Sequence, residues 1–213
     1  MPVWICVVTF NPDFEMIPLG ADSQFHRRVI LVNGLLPALL IGVDAWRGNL
    51  GANPVEFVTR ATGVLALVFL LLTLAVTPVR RFYGWTWLAK QRRWLGLYAF
   101  FYALAHLIIY VGGDRGWQLL TIPTDMARRP FIAIGMVSFL LMVPLAITST
   151  RAMVRWLGGR RWTQLHRLTY IVAMGGVVHY ALIVKSDLTY PILFAMVLTF
   201  LLGYRLRQVW PDG

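Results

Sequence analysis

Long apolar runs bounded by charges set the pattern of this chain. Nineteen uncharged residues separate Arg60 from Arg80, 20 separate Arg93 from Asp114, and 21 separate Arg129 from Arg151. Two further runs of 17 lie between Arg167 and Lys185 and between Asp187 and Arg205. A sixth run extends from Val29 to Trp46, with Asp44 near its end. An α-helix crosses the hydrocarbon core in about 20 apolar residues, within a range of about 17–25. In lipid the backbone groups of each segment must bond within it, so the runs predict helices. A barrel strand would alternate polar and apolar positions, and residues 67–74 (Leu-Val-Phe-Leu-Leu-Leu-Thr-Leu) do not. The predicted fold class is an all-α membrane protein, a six-span transmembrane helical bundle.

Composition narrows the class further. Of 213 residues, 58% are hydrophobic and 14% charged, against about 25% charged in soluble domains. A water-soluble globule and a disordered chain are excluded on that ground. The formal charge of +11 would suggest nucleic acid in a soluble domain. In a membrane chain it reports orientation, and no nucleic-acid partner is expected. With the N-terminus placed in the cytoplasm, 14 of the 20 cations fall on inner segments, and the two inner loops between helices contain no acid. Both termini are therefore predicted to be cytoplasmic, with membrane lipid as the surrounding partner. Residues 1–25 form an N-terminal tail of uncertain role. Their apolar start lacks a basic region and Asn11-Pro12-Asp13 breaks it, so no signal peptide is read there. Cys6 is alone, which excludes a disulfide framework.

Three of the four histidines fall in or beside the spans. His106 lies within the third, His179 deep in the fifth, and His166 at the entrance of the fifth; His26 lies in the tail. An ionisable residue inside the membrane is a functional hypothesis by default. His106 follows Arg93 by 13 residues, and His179 follows His166 by 13. Spans three and five run in the same direction, so His106 and His179 share an outer level if Arg93 and His166 share an inner one. Two neutral imidazoles on facing helices can supply both axial ligands of a haem iron. Thirteen residues rise about 20 Å, which leaves room for a second redox centre near His166. They also rotate the chain so that His166 and His179 sit roughly 140° apart on a straight helix. Gly175-Gly176 lies between them as a place for the helix to bend.

At the inner level Arg92 and Arg93 stand where a partner histidine would be wanted. A guanidinium stays protonated and does not ligate a metal. It does suit a haem propionate or a flavin phosphate, and equally a lipid phosphate or a plain topology signal. Other metals fit poorly, because the sequence has no HExxH, no Cys pair and no carboxylate cluster in its spans. Pro37 and Pro144 read as helix kinks.

A set of motifs carries a resemblance. Leu50-Gly-Ala-Asn-Pro-Val-Glu56, Arg60-Ala-Thr-Gly63 and Thr77-Pro78 are followed by Arg92-Arg93-Trp-Leu-Gly-Leu97 and Leu104-Ala-His106. Then come Arg129-Pro-Phe131, Pro144-Leu-Ala-Ile-Thr-Ser149, Trp162-Thr-Gln-Leu-His-Arg-Leu-Thr-Tyr170 and Val178-His-Tyr180. In order and spacing they resemble the MsrQ family over about residues 26–207. The resemblance implies a ferric-reductase-like transmembrane haem-binding domain over 26–210, in the bacterial inner membrane. It implies one or two b-type haems, and FMN has been associated with family members. His106, His166 and His179 correspond to the family's important histidines. The implied donor is a cytoplasmic flavin reductase or a quinol. The implied acceptor is a periplasmic molybdopterin methionine sulfoxide reductase that repairs oxidised proteins, so bond chemistry belongs to the partner. Two complete bis-histidine pairs need four histidines, and only three are present at the right levels; the inner position is open to haem or flavin. A stand-alone ferric or quinol oxidoreductase and a non-redox membrane anchor are the alternatives.

Overall fold

The computed structural model describes residues 23–184 and 187–209. The tail up to residue 22, with Cys6, and Lys185 lie outside the described residues. Among the described residues every regular element is helical. The elements are α1 (Ser23–Trp46), α2 (Pro54–Tyr83), α3 (Thr86–Ile109), α4 (Ile122–Arg128), α5 (Pro130–Ile147), α6 (Arg151–Leu157), α7 (Gly159–His166), α8 (Leu168–Ile183) and α9 (Thr189–Val209). Five are long and apolar enough to cross a membrane: α1, α2, α3 with its continuation to Asp114, α5 and α9. The stretch expected as another span between Arg167 and Lys185 forms α8, which is 16 residues long. It stops where Val184 turns extended (φ −82°, ψ 112°), just short of the spanning range of about 17–25 residues.

The proline, glycine and asparagine punctuation of the sequence has local causes. Asn53 caps α2 by accepting from the Glu56 N–H at 3.2 Å, while its amide donates to Glu56 Oε2 at 3.0 Å. Pro54 at the first helical position lacks the N–H that would otherwise be orphaned there. Glu56 also pairs with Arg60 one turn on, at 2.5 Å. Gly84 ends α2 in the left-handed region (φ 67°), which lets α3 turn straight back along α2. Arg129 is extended (φ −131°, ψ 93°), as a residue before proline prefers, and Pro130 opens α5. Pro37, Pro78 and Pro144 lie inside helices.

Two helix pairs make the core. α2 packs along α3, α5 packs along α8, and the pairs meet through α3 with α5 and α2 with α8. Leu67, Leu70, Leu71 and Leu74 of α2 face Leu95, Tyr98, Ala99 and Tyr102 of α3 in one buried cluster, which Val172, Ala173 and Val177 of α8 join. In lipid such packing rests on van der Waals fit and interhelical hydrogen bonds, with no gain from excluding water. α1 docks on α3 by two such bonds: Tyr98 Oη donates to the Leu31 carbonyl at 2.6 Å and Tyr102 Oη to the Gly34 carbonyl at 2.7 Å. Each is worth about 0.6 kcal/mol by comparison with other membrane helices. The far side of α1 leaves Val32 and Leu39 63% exposed, a surface suited to hydrocarbon. α9 is fastened across α2 and α8 by Arg205. Its guanidinium donates to Tyr170 Oη, to the Leu74 carbonyl at 3.0 Å and to Thr77 Oγ1 at 3.0 Å.

Candidate functional site

His106 and His179 come together. Their ring centroids are 6.0 Å apart and their planes stand at 89°. Each is held by the partner helix of its own pair. His106 on α3 has Nδ1 at 2.8 Å from the Thr59 carbonyl of α2, and His179 on α8 has Nδ1 at 2.6 Å from the Phe131 carbonyl of α5. A carbonyl can only accept, so both Nδ1 atoms carry the hydrogen and both Nε2 atoms keep a lone pair. Among the described residues no hydrogen bond engages either Nε2.

The arrangement suits a metal with two axial nitrogens. Two metal–nitrogen bonds of about 2 Å set imidazole centroids on opposite sides of one ion roughly 6 Å apart. Protonated Nδ1 with an open Nε2 is also the tautomer that ligating histidines show when a carbonyl orients them. Glycines complete the cradle: a Cβ on Gly63 would lie 3.0 Å from His106 Nδ1, and one on Gly135 would lie 2.7 Å from His179 Nδ1. The donor set therefore fits an iron porphyrin with bis-histidine ligation.

His166 is elsewhere. It closes α7, stacked on Trp162 of the same helix at 4.0 Å between centroids. Thr148 Oγ1 donates to the Pro144 carbonyl at 2.6 Å, so it receives the hydrogen of His166 Nε2 at 3.1 Å. His166 thus presents Nδ1 as its lone-pair nitrogen, the opposite choice from the pair. The bend expected at Gly175-Gly176 is not used. α8 runs unbroken through both glycines, and the interruption falls at Arg167, directly after His166. The glycines serve packing, with Gly175 set against Ser138 of α5.

His166 lines a cavity of about 1550 Å³ at this end of the bundle. Seven arginines and Lys90 line it, with no carboxylate among the lining residues. Arg92 and Arg93 are both in that wall, as the sequence suggested, and Arg93 also lies 5.6 Å from the Trp94 ring centroid. Burial first, and then Arg92, push His166 down to about 4. Two buried polar atoms of the wall lack a partner among the described residues, Gln91 Oε1 and Arg205 Nε. A concave, acid-free, arginine-rich wall of this size accepts an anionic group of cofactor dimensions. His26 instead packs on Trp87 at 4.3 Å between centroids.

Sequence reasoning missed Thr148, Tyr170, Arg205, Gly63 and Gly135 as parts of these two sites. Thr148, Tyr170 and Gly63 stand inside motifs quoted above, but no spacing rule gave them a chemical task.

Far from the cavity, the loop after α3 is clamped. A π-helical turn (Tyr110–Asp114) extends α3, Tyr110 Oη donates to Asp125 Oδ2 at 3.1 Å, and Arg115 Nε pairs with the same oxygen at 2.9 Å.

Residues 62–177 match the family described as ferric reductase like transmembrane component. A Rhodospirillum rubrum relative is 49% identical over 184 residues, covering 86% of this chain and 88% of the relative. An Azospira oryzae relative is 50% identical over 184 residues, covering 83% and 79%. A Deinococcus radiodurans relative is 47% identical over 178 residues, covering 84% and 88%. All three bear the name protein-methionine-sulfoxide reductase heme-binding subunit MsrQ.

Proposed function

The chain belongs to the MsrQ family of heme-binding subunits, within the ferric-reductase-like transmembrane group, and from that premise we propose that it carries electrons across the bacterial inner membrane to a periplasmic methionine sulfoxide reductase. The observation that carries this reading is the His106–His179 pair, two imidazoles from different helices at a spacing suited to one iron. In the proposed topology α8 completes a sixth span, both termini are cytoplasmic, and residues 26–210 form one haem-binding domain. The basic cavity then faces the cytoplasm and the histidine pair lies toward the periplasm.

A b-type haem held by His106 and His179 would supply reversible one-electron chemistry. The chain does the rest by placement. The Thr59 and Phe131 carbonyls hold the Nδ1 hydrogens, fix both ring orientations and keep Nε2 unprotonated. The Leu67, Leu71, Tyr102 and Val177 neighbourhood keeps the bundle interior apolar. At the cytoplasmic end Arg92 and Arg93 would neutralise the acidic groups of a second cofactor, a second haem or FMN, with His166 beside it. Such a group would supply electron transfer from a flavin reductase or a quinol. The outer loop that carries Asp114 and the clamped Asp125 lies on the side of the acceptor, a soluble molybdopterin enzyme.

Optical difference spectra test the reading. Purified protein from haem-replete cells should show low-spin b-type absorption on dithionite addition, and His106→Ala or His179→Ala should abolish the contribution of the paired site. A colourless wild-type protein, or variants with unchanged spectra, would overturn it. Reoxidation of the reduced protein by the purified periplasmic reductase separates delivery to that enzyme from a stand-alone ferric or quinol oxidoreductase.

A further inference from the structure

The two helices that receive the paired histidines present them with the same device. On α2 the accepting carbonyl belongs to Thr59 and the glycine beneath the ring is Gly63; on α5 the carbonyl belongs to Phe131 and the glycine is Gly135. The offset is four residues in both cases, so carbonyl and glycine sit one turn apart on one helix face. Each carbonyl has two lone pairs, so it takes the imidazole N–H while still facing its own helix; the Thr59 carbonyl also lies 3.0 Å from Thr62 Oγ1. A Cβ on the residue one turn later would crowd the ring that reaches the carbonyl. The clearances are tight on both sides, 3.0 Å to His106 Nδ1 at Gly63 and 2.7 Å to His179 Nδ1 at Gly135.

We propose that Gly63 and Gly135 are positioning residues that set the reduction potential of the metal centre between His106 and His179, by holding open the Nδ1–H···O=C bond of each ligand. The proposal rests on the reading that these two histidines carry haem. An imidazole that donates from Nδ1 to a carbonyl is the stronger electron donor through Nε2. Stronger axial donation favours the oxidised metal and lowers the potential. Weakening either bond therefore raises it. The two sides differ in degree: the His179 bond is the shorter, 2.6 against 2.8 Å, and Gly135 has the smaller clearance. Gly135 is the stricter of the two positions.

The test compares Gly63→Ala and Gly135→Ala in the full-length haem-loaded protein by potentiometric titration and by low-temperature electron paramagnetic resonance of the oxidised state. Both variants should shift the midpoint potential upward and move the low-spin g-values, Gly135→Ala more than Gly63→Ala. Gly203→Ala on α9, where a Cβ meets nothing within 4 Å, should leave both signals at wild type. His106→Ala and His179→Ala are measured alongside. If they retain the paired-site spectrum, the haem assignment itself falls. If they lose it while both alanine variants keep wild-type potential and g-values, the glycine proposal alone is overturned. Should Gly135→Ala bind no haem, Gly63→Ala decides, because there the ring needs to give by only a few tenths of an ångström.

Discussion

The two ends of the bundle solve the problem of a buried histidine in opposite ways. At the paired end each imidazole is fixed by a backbone carbonyl and leaves Nε2 open. At the basic end His166 gives Nε2 to a side-chain hydroxyl and stacks on Trp162. Backbone partners cannot rotate away, so the paired end is shaped before any cofactor arrives. The basic end is a cavity of about 1550 Å³ with seven arginines and no acid to answer them. Like charges crowded without counter-charge cost stability until an anion enters. One end is preorganised by geometry, the other by unspent charge.

The largest effect expected from this contrast is a clean division between histidines. His106→Ala or His179→Ala should abolish paired-site haem, while His166→Ala should leave that spectrum intact and reduce only the cofactor bound at the basic end. Haem and flavin content per protein, read with the optical spectrum, checks it. Equal loss in all three variants would mean that the ends are not independent.

Next in size is the Arg205 fastening. Arg205→Ala removes the donors to Leu74 O, Thr77 Oγ1 and Tyr170 Oη. Leu74 is fully buried and Pro78, one turn on, has no N–H to offer its carbonyl, so that carbonyl loses the donor standing in for the missing helical one, and the Tyr170 hydroxyl loses a charged partner. A cost of about 1–3 kcal/mol is expected for such groups. It should appear as a lower melting temperature in detergent, with paired-site potential unchanged.

Arg92 should behave differently from Arg205 although both line the same cavity. Arg92 shares that wall with Arg205 and with no carboxylate among the lining residues. Arg92→Gln should leave melting within about 1 kcal/mol of wild type or above it, yet weaken retention of the anionic cofactor. Cofactor content after dilution, set beside melting temperature, checks the split. Parallel loss of both would make Arg92 a structural residue.

Depth was legible in the residues; rotation was not. Thirteen-residue offsets from Arg93 and from His166 put His106 and His179 at one level, and the rings do meet. The same count left His166 about 140° away, and a bend at Gly175-Gly176 was the expected remedy. The helix instead breaks at Arg167, and tight packing of Gly175 on Ser138 occupies the glycines. Rise along a helix depends on residue number alone, whereas facing depends on which neighbour packs there. For the same reason Gly63 and Gly135 read as ordinary helix glycines until the ring above each is known. Arg205 reaches across 131 residues of sequence to the Leu74 carbonyl, and no local pattern announces so distant a partner. Span length was legible for five helices. α8 stops one residue before the end of its apolar run, because Val184 leaves the helix.

The smallest effect is a pH dependence confined to the basic end. His166 lies just outside the predicted span, and its pKa drops from the ordinary 6.5 to about 4 through burial and then Arg92. The unfolded chain therefore takes up this proton before the folded one does, and stability rises with pH wherever the unfolded state binds more protons. The contribution is complete above about 6.5 and is lost as pH falls from there toward 4. Because the ring is only part-buried, solvent screening shrinks the effect below what the shift alone implies. Melting temperatures at pH 7 and pH 5 should therefore differ more for wild type than for His166→Asn, which has no proton to gain. Arg92→Gln should reduce the difference part-way, since Arg92 supplies the second cause of the shift. An unchanged pH response in His166→Asn would place the acid sensitivity elsewhere and remove the charge half of the contrast between the two ends.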